Sequence, residues 1–231
     1  MALLVSLDIE TTGLDPNSDS IIEIGMVKFS EKRVEAEYAS LVNPRKPINS
    51  FITNLTGISN SMVQNAPLLV DILPQVLDFV GDAPIVGHNI GFDLSFFYKI
   101  GVLKNNVSID TYELASVLMP MAPRYGLGSL AHQLGVIQNS AHRALEDAKT
   151  TQAVYARLIE KIEELPIELV AEIIRLSEGV NWKGETAFRA ALQRMSRAGI
   201  RPRQGSDESG GLLYSLAKGE STGTVDGRAE R

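Results

Sequence analysis

Cysteine is absent from all 231 residues. Its absence excludes disulfides, thiolate metal sites and cysteine nucleophiles together. Long hydrophobic runs are also missing: none approaches the roughly 20 residues that a membrane span needs. The opening stretch, Met1-Ala2-Leu3-Leu4-Val5-Ser6-Leu7-Asp8, is apolar but short, has no basic flank and runs straight into acid. It therefore reads as a strand and not as a signal peptide. The expectation is a soluble, cytoplasmic protein with no membrane partner. Basic residues are few as well, 22 Lys and Arg against 28 Asp and Glu, for a net charge of −6. That balance counts against a protein that grips nucleic acid through a broad basic face, although bound cations would cancel some carboxylates locally. The Gly-x-Ser-x-Gly spacing occurs once, at Gly219 to Gly223 in the Gly- and Ser-rich C-terminal stretch, with no helix pattern after it as a nucleophile elbow requires, which leaves a Ser-His-Asp hydrolase poorly supported. No internal repeat is present.

What remains is ordinary globular material. Hydrophobic residues make up 44 % and charged residues 22 %, enough for one domain plus a small appendage without disulfide support. Leu3 to Ile9 reads as a buried strand ending in acid, and Gly13 to Asp19 as a turn. Ile21 to Phe29 and Val34 to Val42 read as two further strands of a meander. Pro44 to Pro47 is a loop. Apolar residues at helical spacing mark Leu68 to Val80. Short strands are expected at Pro84 to Gly87 and Val107 to Ile109. Helices are expected at Phe92 to Ile100, Tyr112 to Leu118 and Leu130 to Leu134, with a long amphipathic one over Ala144 to Ile162. Strands in a meander followed by strand–helix alternation predict an α/β layered domain on a mixed sheet.

Acids recur where strands end and helices begin. Asp8 and Glu10 close the first strand and, two residues apart, share one face of it. Adjacent carboxylates repel, and a divalent cation is one way to relieve them. Asp93 falls in the first turn of a helix that follows a strand, at the sheet edge where α/β proteins place ligands. His142 sits five residues before Asp147, so the imidazole precedes the long helix while the acid lies about one turn in. Each pattern alone has a plainer reading: solvated acids at a strand end, or residues capping a helix.

Together they form an ordered set. The segments Asp8-Ile9-Glu10-Thr11-Thr12-Gly13, His88-Asn89-x-x-Phe92-Asp93 and His142-Arg143-Ala144-Leu145-x-Asp147-Ala148, with Leu55-Thr56-Gly57-Ile58 and Asp110-Thr111, resemble the DnaQ-like 3′→5′ exonucleases of the DEDDh subgroup, including proofreading exonuclease domains of the DNA polymerase III epsilon and PolC types. The resemblance covers about Leu3 to Ile162. It implies an RNase H-like three-layer α/β fold with a five-stranded mixed sheet, followed by a small C-terminal helical extension. It also implies that Asp8, Glu10, Asp93 and Asp147 hold two divalent cations, Mg²⁺ or Mn²⁺, and that His142 is the general base. The chemistry is consistent: oxygen ligands suit hard cations, and imidazole titrates near neutrality. By the same resemblance Glu10, Thr11 and Thr12 contact the terminal 3′-hydroxyl, Leu14 wedges against the last bases, and Asn89 reaches the substrate backbone. Phe92 is expected to pack under the sheet, Asp110 and Thr111 to anchor a strand end, and His88 to be structural. Arg143 is either a phosphate contact or half of a surface ion pair.

The expected organisation is an exonuclease domain over 1–165, a helical extension over 166–200 and a flexible tail over 201–231. The partner is nucleic acid with a free 3′ end, DNA by preference. An RNA-directed exoribonuclease, or a proofreading module dependent on a polymerase or helicase partner, stays open as an alternative. Arg189, Arg194, Arg197, Arg201 and Arg203 lie in a stretch without acids. They could meet phosphates or simply form a solvated helix face or a partner-docking segment.

Overall fold

The computed structural model describes residues 3–30, 33–138, 142–180 and 182–199. The chain divides into two compact units, Met1–Leu158 and Ile159–Arg231. Five strands, β1 (Leu4–Thr11), β2 (Ile21–Ser30), β3 (Arg33–Leu41), β4 (Ile85–Gly87) and β5 (Ser108–Asp110), form one sheet in the order β3-β2-β1-β4-β5. The helices are α1 (Ser50–Thr56), α2 (Asn60–Val63), α3 (Leu69–Val80), α4 (Gly91–Lys99), α5 (Thr111–Leu118), α6 (Leu127–Gln133), α7 (Ala144–Glu163), α8 (Ile167–Ser177) and α9 (Glu185–Arg197). Neighbours β1, β2 and β3 pair antiparallel, while β4 and β5 join β1 in parallel. This is the expected mixed five-stranded sheet.

Strand β1 is central, and its alternation organises the first unit. Val5, Leu7 and Ile9 enter a core with Ile24 and Met26 of β2, Ile72, Val76 and Val80 of α3, and Leu94, Phe96 and Phe97 of α4. Side chains alternate along a strand, so Ser6, Asp8 and Glu10 take the opposite face. Their partners on β2 are Val27, Gly25 and Glu23. Helix α7 covers that face: its backbone at Ala144 and Leu145 lies directly over Gly25, and Tyr155 meets the edge of Phe29 with ring centroids 6.0 Å apart. Three layers result, with the acidic end of β1 under the start of α7.

The sequence reading passes from the Pro44–Pro47 loop to the α3 helix, whereas the structure places α1 and α2 between them. At 7 and 4 residues they are too short to show a period. Their caps are orthodox: Asn49 accepts from Ile52 N at 2.9 Å, and Gly57 ends α1 at φ 72° with its N–H bonded to Thr53 O. They close over a small cluster of Ile22, Ile48, Ile52, Ile58 and Val63.

In the second unit α8 and α9 pack together. Val170, Ala171 and Ile174 are buried on α8, and Phe188, Ala191, Leu192 and Met195 on α9. Arg189 pairs with Glu178 and Glu185, and Arg194 with Glu163. These two arginines are thus ion-paired at their helix surface. Arg197 is exposed. Arg201, Arg203 and the expected tail lie outside the described residues. Among the described residues no helix is long and apolar enough to cross a membrane.

One side chain ties the parallel half of the sheet together. Asp110 caps α5 by accepting from Tyr112 N at 2.9 Å and also takes the N–H groups of Asn89 at 3.0 Å and Ile90 at 3.1 Å. Those two amides form the turn between β4 and α4, where Asn89 has φ 57°. Asp110→Ala should cost about 2–3 kcal/mol, one cap plus a buried N–H left without an acceptor. A shift in the urea midpoint at unchanged m-value would measure it, and a loss below about 0.5 kcal/mol would remove Asp110 from this role.

Candidate active site

Asp8 and Glu10 reach the α7 side of the sheet through the alternation of β1. Asp93 arrives differently. Strand β4 ends at Gly87, so the N–H of Ile9 has no strand partner on that side, and Asp93 Oδ1 accepts it at 3.0 Å. The acid therefore completes the sheet ladder with one oxygen. Asp147 lies in the first turn of α7 and reaches back: its Oδ2 accepts the N–H of His142 at 2.8 Å, and its Oδ1 accepts from Gln138 Nε2 at 2.9 Å. His142 has φ 62°, left-handed backbone that costs most residues free energy and that His adopts more readily than most. Its ring stays exposed while Asp147 is buried.

These side chains converge. Glu10, His142 and Asp147 each place a ligand atom within 4.8 Å of the other two. Asp8, His88, Gln138, His142 and Asp147, with Leu127 and Gly128, line a cavity of about 340 Å³. Asp8 feels the charges of Asp93, Asp147, Glu10 and Glu23. All five residues expected to do the chemistry are thus gathered at one end of β1.

Their electrostatics are those of acids held together against repulsion. Burial, and then its acidic neighbours, push Asp8 well above the usual carboxylate range. Burial raises Glu10 to about 7, with Asp147 and Glu23 adding to the rise and Arg143 opposing it. Asp93 is raised to about 8 by burial, against the bond from Ile9 N, with further rises from Glu10 and Asp110. Burial also raises Asp147, opposed by its bonds from His142 N and Gln138. Four oxygen donors that cannot comfortably ionise together fit a site for hard divalent cations, which would favour their charged forms.

The other expected residues fare variously. The Thr11 hydroxyl donates to Gly13 O at 2.6 Å, and that of Thr12 to Asp19 at 2.9 Å. Both threonines are buried, so these hydroxyl protons stay within the loop. Leu14 is 82 % exposed, open for contact with a ligand. Asn89 is exposed, its N–H held by Asp110. Phe92 packs on the core beside Phe96, with centroids 5.4 Å apart. His88 Nδ1 lies 2.9 Å from Thr111 Oγ1, and burial lowers its pKa. Arg143 is half-exposed and ion-paired, its partner being Glu23, which is buried on β2. Glu23, Gly25 and Gln138 were not singled out from the sequence. Glu23 did leave a signal, a lone charge inside the apolar run Ile21 to Val27. Gln138 left none.

Comparison with known proteins shows which family shares this sequence and fold. A family model described as Exonuclease matches residues 5–155. The chain is 44 % identical over 173 residues to a PolC-type DNA polymerase III of Caldanaerobacter subterraneus subsp. tengcongensis, covering 73 % of this chain and 12 % of that protein. It is 34 % identical over 180 residues to the 3′-5′ exonuclease DinG of Bacillus subtilis, covering 75 % of this chain and 19 % of that one. The chain thus spans less than a fifth of the length of either relative. Among solved structures, exonuclease X in complex with 5′ overhanging duplex DNA matches with TM-score 0.58 and 26 % identity, over 68 % of this chain and 91 % of that one. The nuclease domain of 3′hExo, a DEDDh family member bound to rAMP, shares the fold at TM-score 0.59 and 19 % identity, over 68 % and 92 %.

The acid cluster sets a pH dependence. Glu10 and Asp93 ionise at lower pH in the unfolded chain than in the folded one, so the folded state holds more protons between about pH 4 and 8. In chelator, stability should therefore fall as pH rises through that window. Asp15 and Asp19, whose pKa values are lowered, act only below it. Mg²⁺ or Mn²⁺ should reverse the trend, raising the melting temperature more at pH 8 than at pH 5. A hundredfold excess over Kd would contribute about 2.7 kcal/mol. Thermal melts across pH with EDTA and with each metal test this, and a flat or rising profile in EDTA would contradict it.

Proposed function

The chain belongs to the DnaQ-like 3′→5′ exonuclease family, and from that premise we propose that it removes nucleoside 5′-monophosphates one at a time from the 3′ end of DNA. The observation that carries the reading is the convergence of three separate segments at one end of β1: Asp8, His142 and Asp147 line one cavity, Glu10 lies within 4.8 Å of His142 and Asp147, and Asp93 bonds to Ile9 N between Asp8 and Glu10. DNA is favoured because a relative 44 % identical over 173 residues is a DNA polymerase III. The same relative suggests work beside a polymerase in replication. We take residues 1–165 as the catalytic domain and 166–200 as a helical appendage.

Asp8, Glu10, Asp93 and Asp147 are the residues that would hold two divalent cations, Mg²⁺ or Mn²⁺. When bound, these supply positive charge to the attacking and leaving oxygens of an in-line displacement. His142 stands exposed at the cavity beside Glu10 and Asp147. Its ring takes a proton from the attacking water as that oxygen bonds to phosphorus. The bond from phosphorus to the 3′-oxygen of the preceding nucleotide breaks, and that oxygen takes a proton from solvent. His142 then returns its proton to solvent. The products are a nucleoside 5′-monophosphate and a strand one residue shorter with a free 3′-hydroxyl. Asp147 anchors the backbone N–H of His142 and leaves the ring unencumbered. Glu10, Thr11 and Thr12 shape the strand end that would meet the terminal 3′-hydroxyl, with exposed Leu14 set to pack against the last base and exposed Asn89 to reach its backbone.

A time course on 5′-labelled single-stranded DNA and RNA, in Mg²⁺, Mn²⁺ or EDTA, tests the reading. A metal-dependent ladder shortening from the 3′ end, faster on DNA and absent in Asp8→Ala, is expected. Preference for RNA would replace the substrate. No shortening of either strand would leave the partner-dependent form of the activity as the reading to pursue. His142→Ala should lower turnover by about 10²–10⁴-fold while keeping the thermal shift produced by metal, and full activity would take His142 out of the mechanism.

A further inference from the structure

Glu23 is 3 % exposed on β2, directly opposite Glu10. A buried carboxylate is costly unless it is paired and hydrogen-bonded, and this one is both. Arg143 Nε lies 3.2 Å from each carboxylate oxygen, Arg143 Nη2 lies 2.6 Å from Oε1, and the N–H of Ala144 donates to Oε2 at 2.9 Å. Both partners come from the point where α7 begins. Two residues along β2, Gly25 leaves the space that α7 occupies: a Cβ there would lie 2.1 Å from the carbonyl carbon of Ala144 and 2.2 Å from the nitrogen of Leu145. Gly25 is also the cross-strand partner of Asp8. Strand β2 therefore grips the start of α7 at Glu23 and admits it at Gly25, beside the two acids of β1.

We propose that Glu23 is a positioning residue for the exonuclease reaction: through Arg143 and the N–H of Ala144 it sets where His142 and Asp147 stand relative to Asp8 and Glu10. His142 directly precedes Arg143, and the carbonyl of Arg143 accepts the N–H of Asp147 at 2.9 Å. The residue that Glu23 holds is thus flanked by the base and bonded to the acid. A neutral acceptor could satisfy the Ala144 amide alone. Holding the fork of a guanidinium with both oxygens takes a carboxylate. That carboxylate raises the pKa of Glu10 while its partner Arg143 lowers it, so the pair adds its orienting bonds to the site with its two charges opposing each other.

The inference rests on the proposed activity, and its test separates the two. Glu23→Gln, Arg143→Lys and the double variant would be compared with wild type well below their melting temperatures. The readouts are single-nucleotide release from labelled DNA and hydrogen exchange of the amides from His142 to Asp147. In Glu23→Gln, kcat should fall by about 10²-fold, as expected when a reacting group is misplaced by about an ångström. KM should change less than about twofold, and the amides at the start of α7 should exchange faster. The double variant should lose little more than Glu23→Gln does, since the two residues act as one unit. Arg143→Lys, on a half-exposed side chain, carries the same test should Glu23→Gln fail to fold. It should fall between wild type and the double variant. Unchanged kcat with unchanged exchange in a folded variant would overturn the proposal, as would a loss of activity matched only by a loss of folded protein. If wild type releases no nucleotide the activity itself fails, and the exchange data alone then decide whether Glu23 holds the start of α7.

Discussion

Repulsion among the carboxylates at the end of β1 is the constraint on which the rest of the structure turns. Burial raises the pKa values of Asp8, Glu10, Asp93 and Asp147, the charges of acids within the group raise Asp8, Glu10 and Asp93 further, and no local preference of the chain would gather them. The gathering force is the apolar side of the same strand. Val5, Leu7 and Ile9 are locked into the core with α3 and α4, and alternation then leaves Asp8 and Glu10 nowhere to point except toward α7. Burial of three large side chains at roughly 1.5–3 kcal/mol each works against that repulsion. The acids are carried by the core beneath them, and the proposed cations would complete the balance.

Each remaining acid is held by backbone amides, and the choice of amide sets its position. Asp93 takes an N–H that the sheet ladder leaves open where β4 stops. Asp147 takes the N–H of the residue five before it, which closes a loop around the helix start. Asp110 does comparable work one step removed, fixing the turn from which α4 departs. Hydrogen bonds to carboxylates are stronger than neutral ones. They also fix each carboxylate in place while leaving lone pairs for a ligand, since each oxygen can accept more than one bond.

Much of this was legible in the sequence, and the parts that were not share a cause. The strands of the meander, the long helix and the acids at element ends all announce themselves through local pattern. Helices α1 and α2 escape because seven and four residues hold too little period to be seen, although Asn49, Gly57 and Ser59 are recognisable caps. Glu23 escapes because its importance is a tertiary fact: it depends on Arg143, 120 positions away. Gly25 sits in a strand where glycine ordinarily signals weakness, and only the backbone of α7 lying over it shows what the missing side chain permits. The stretch Arg189 to Arg203 looks basic in sequence because the acids that pair with Arg189 and Arg194 lie outside it, at Glu163, Glu178 and Glu185.

The spacing of His142 and Asp147 follows from the same logic. A base inside the helix would be fixed by the regular turn and crowded by its neighbours. Placed two residues ahead of Ala144, His142 can enter left-handed backbone and turn its ring outward, while its N–H remains tied to Asp147. The backbone is thereby determined and the side chain is not. That division suits the proton-transfer role proposed for His142. The same division gives the proposed role of Glu23 its physical basis: with the ring exposed, the peptide segment from which it hangs is what β2 holds, through Arg143 and Ala144.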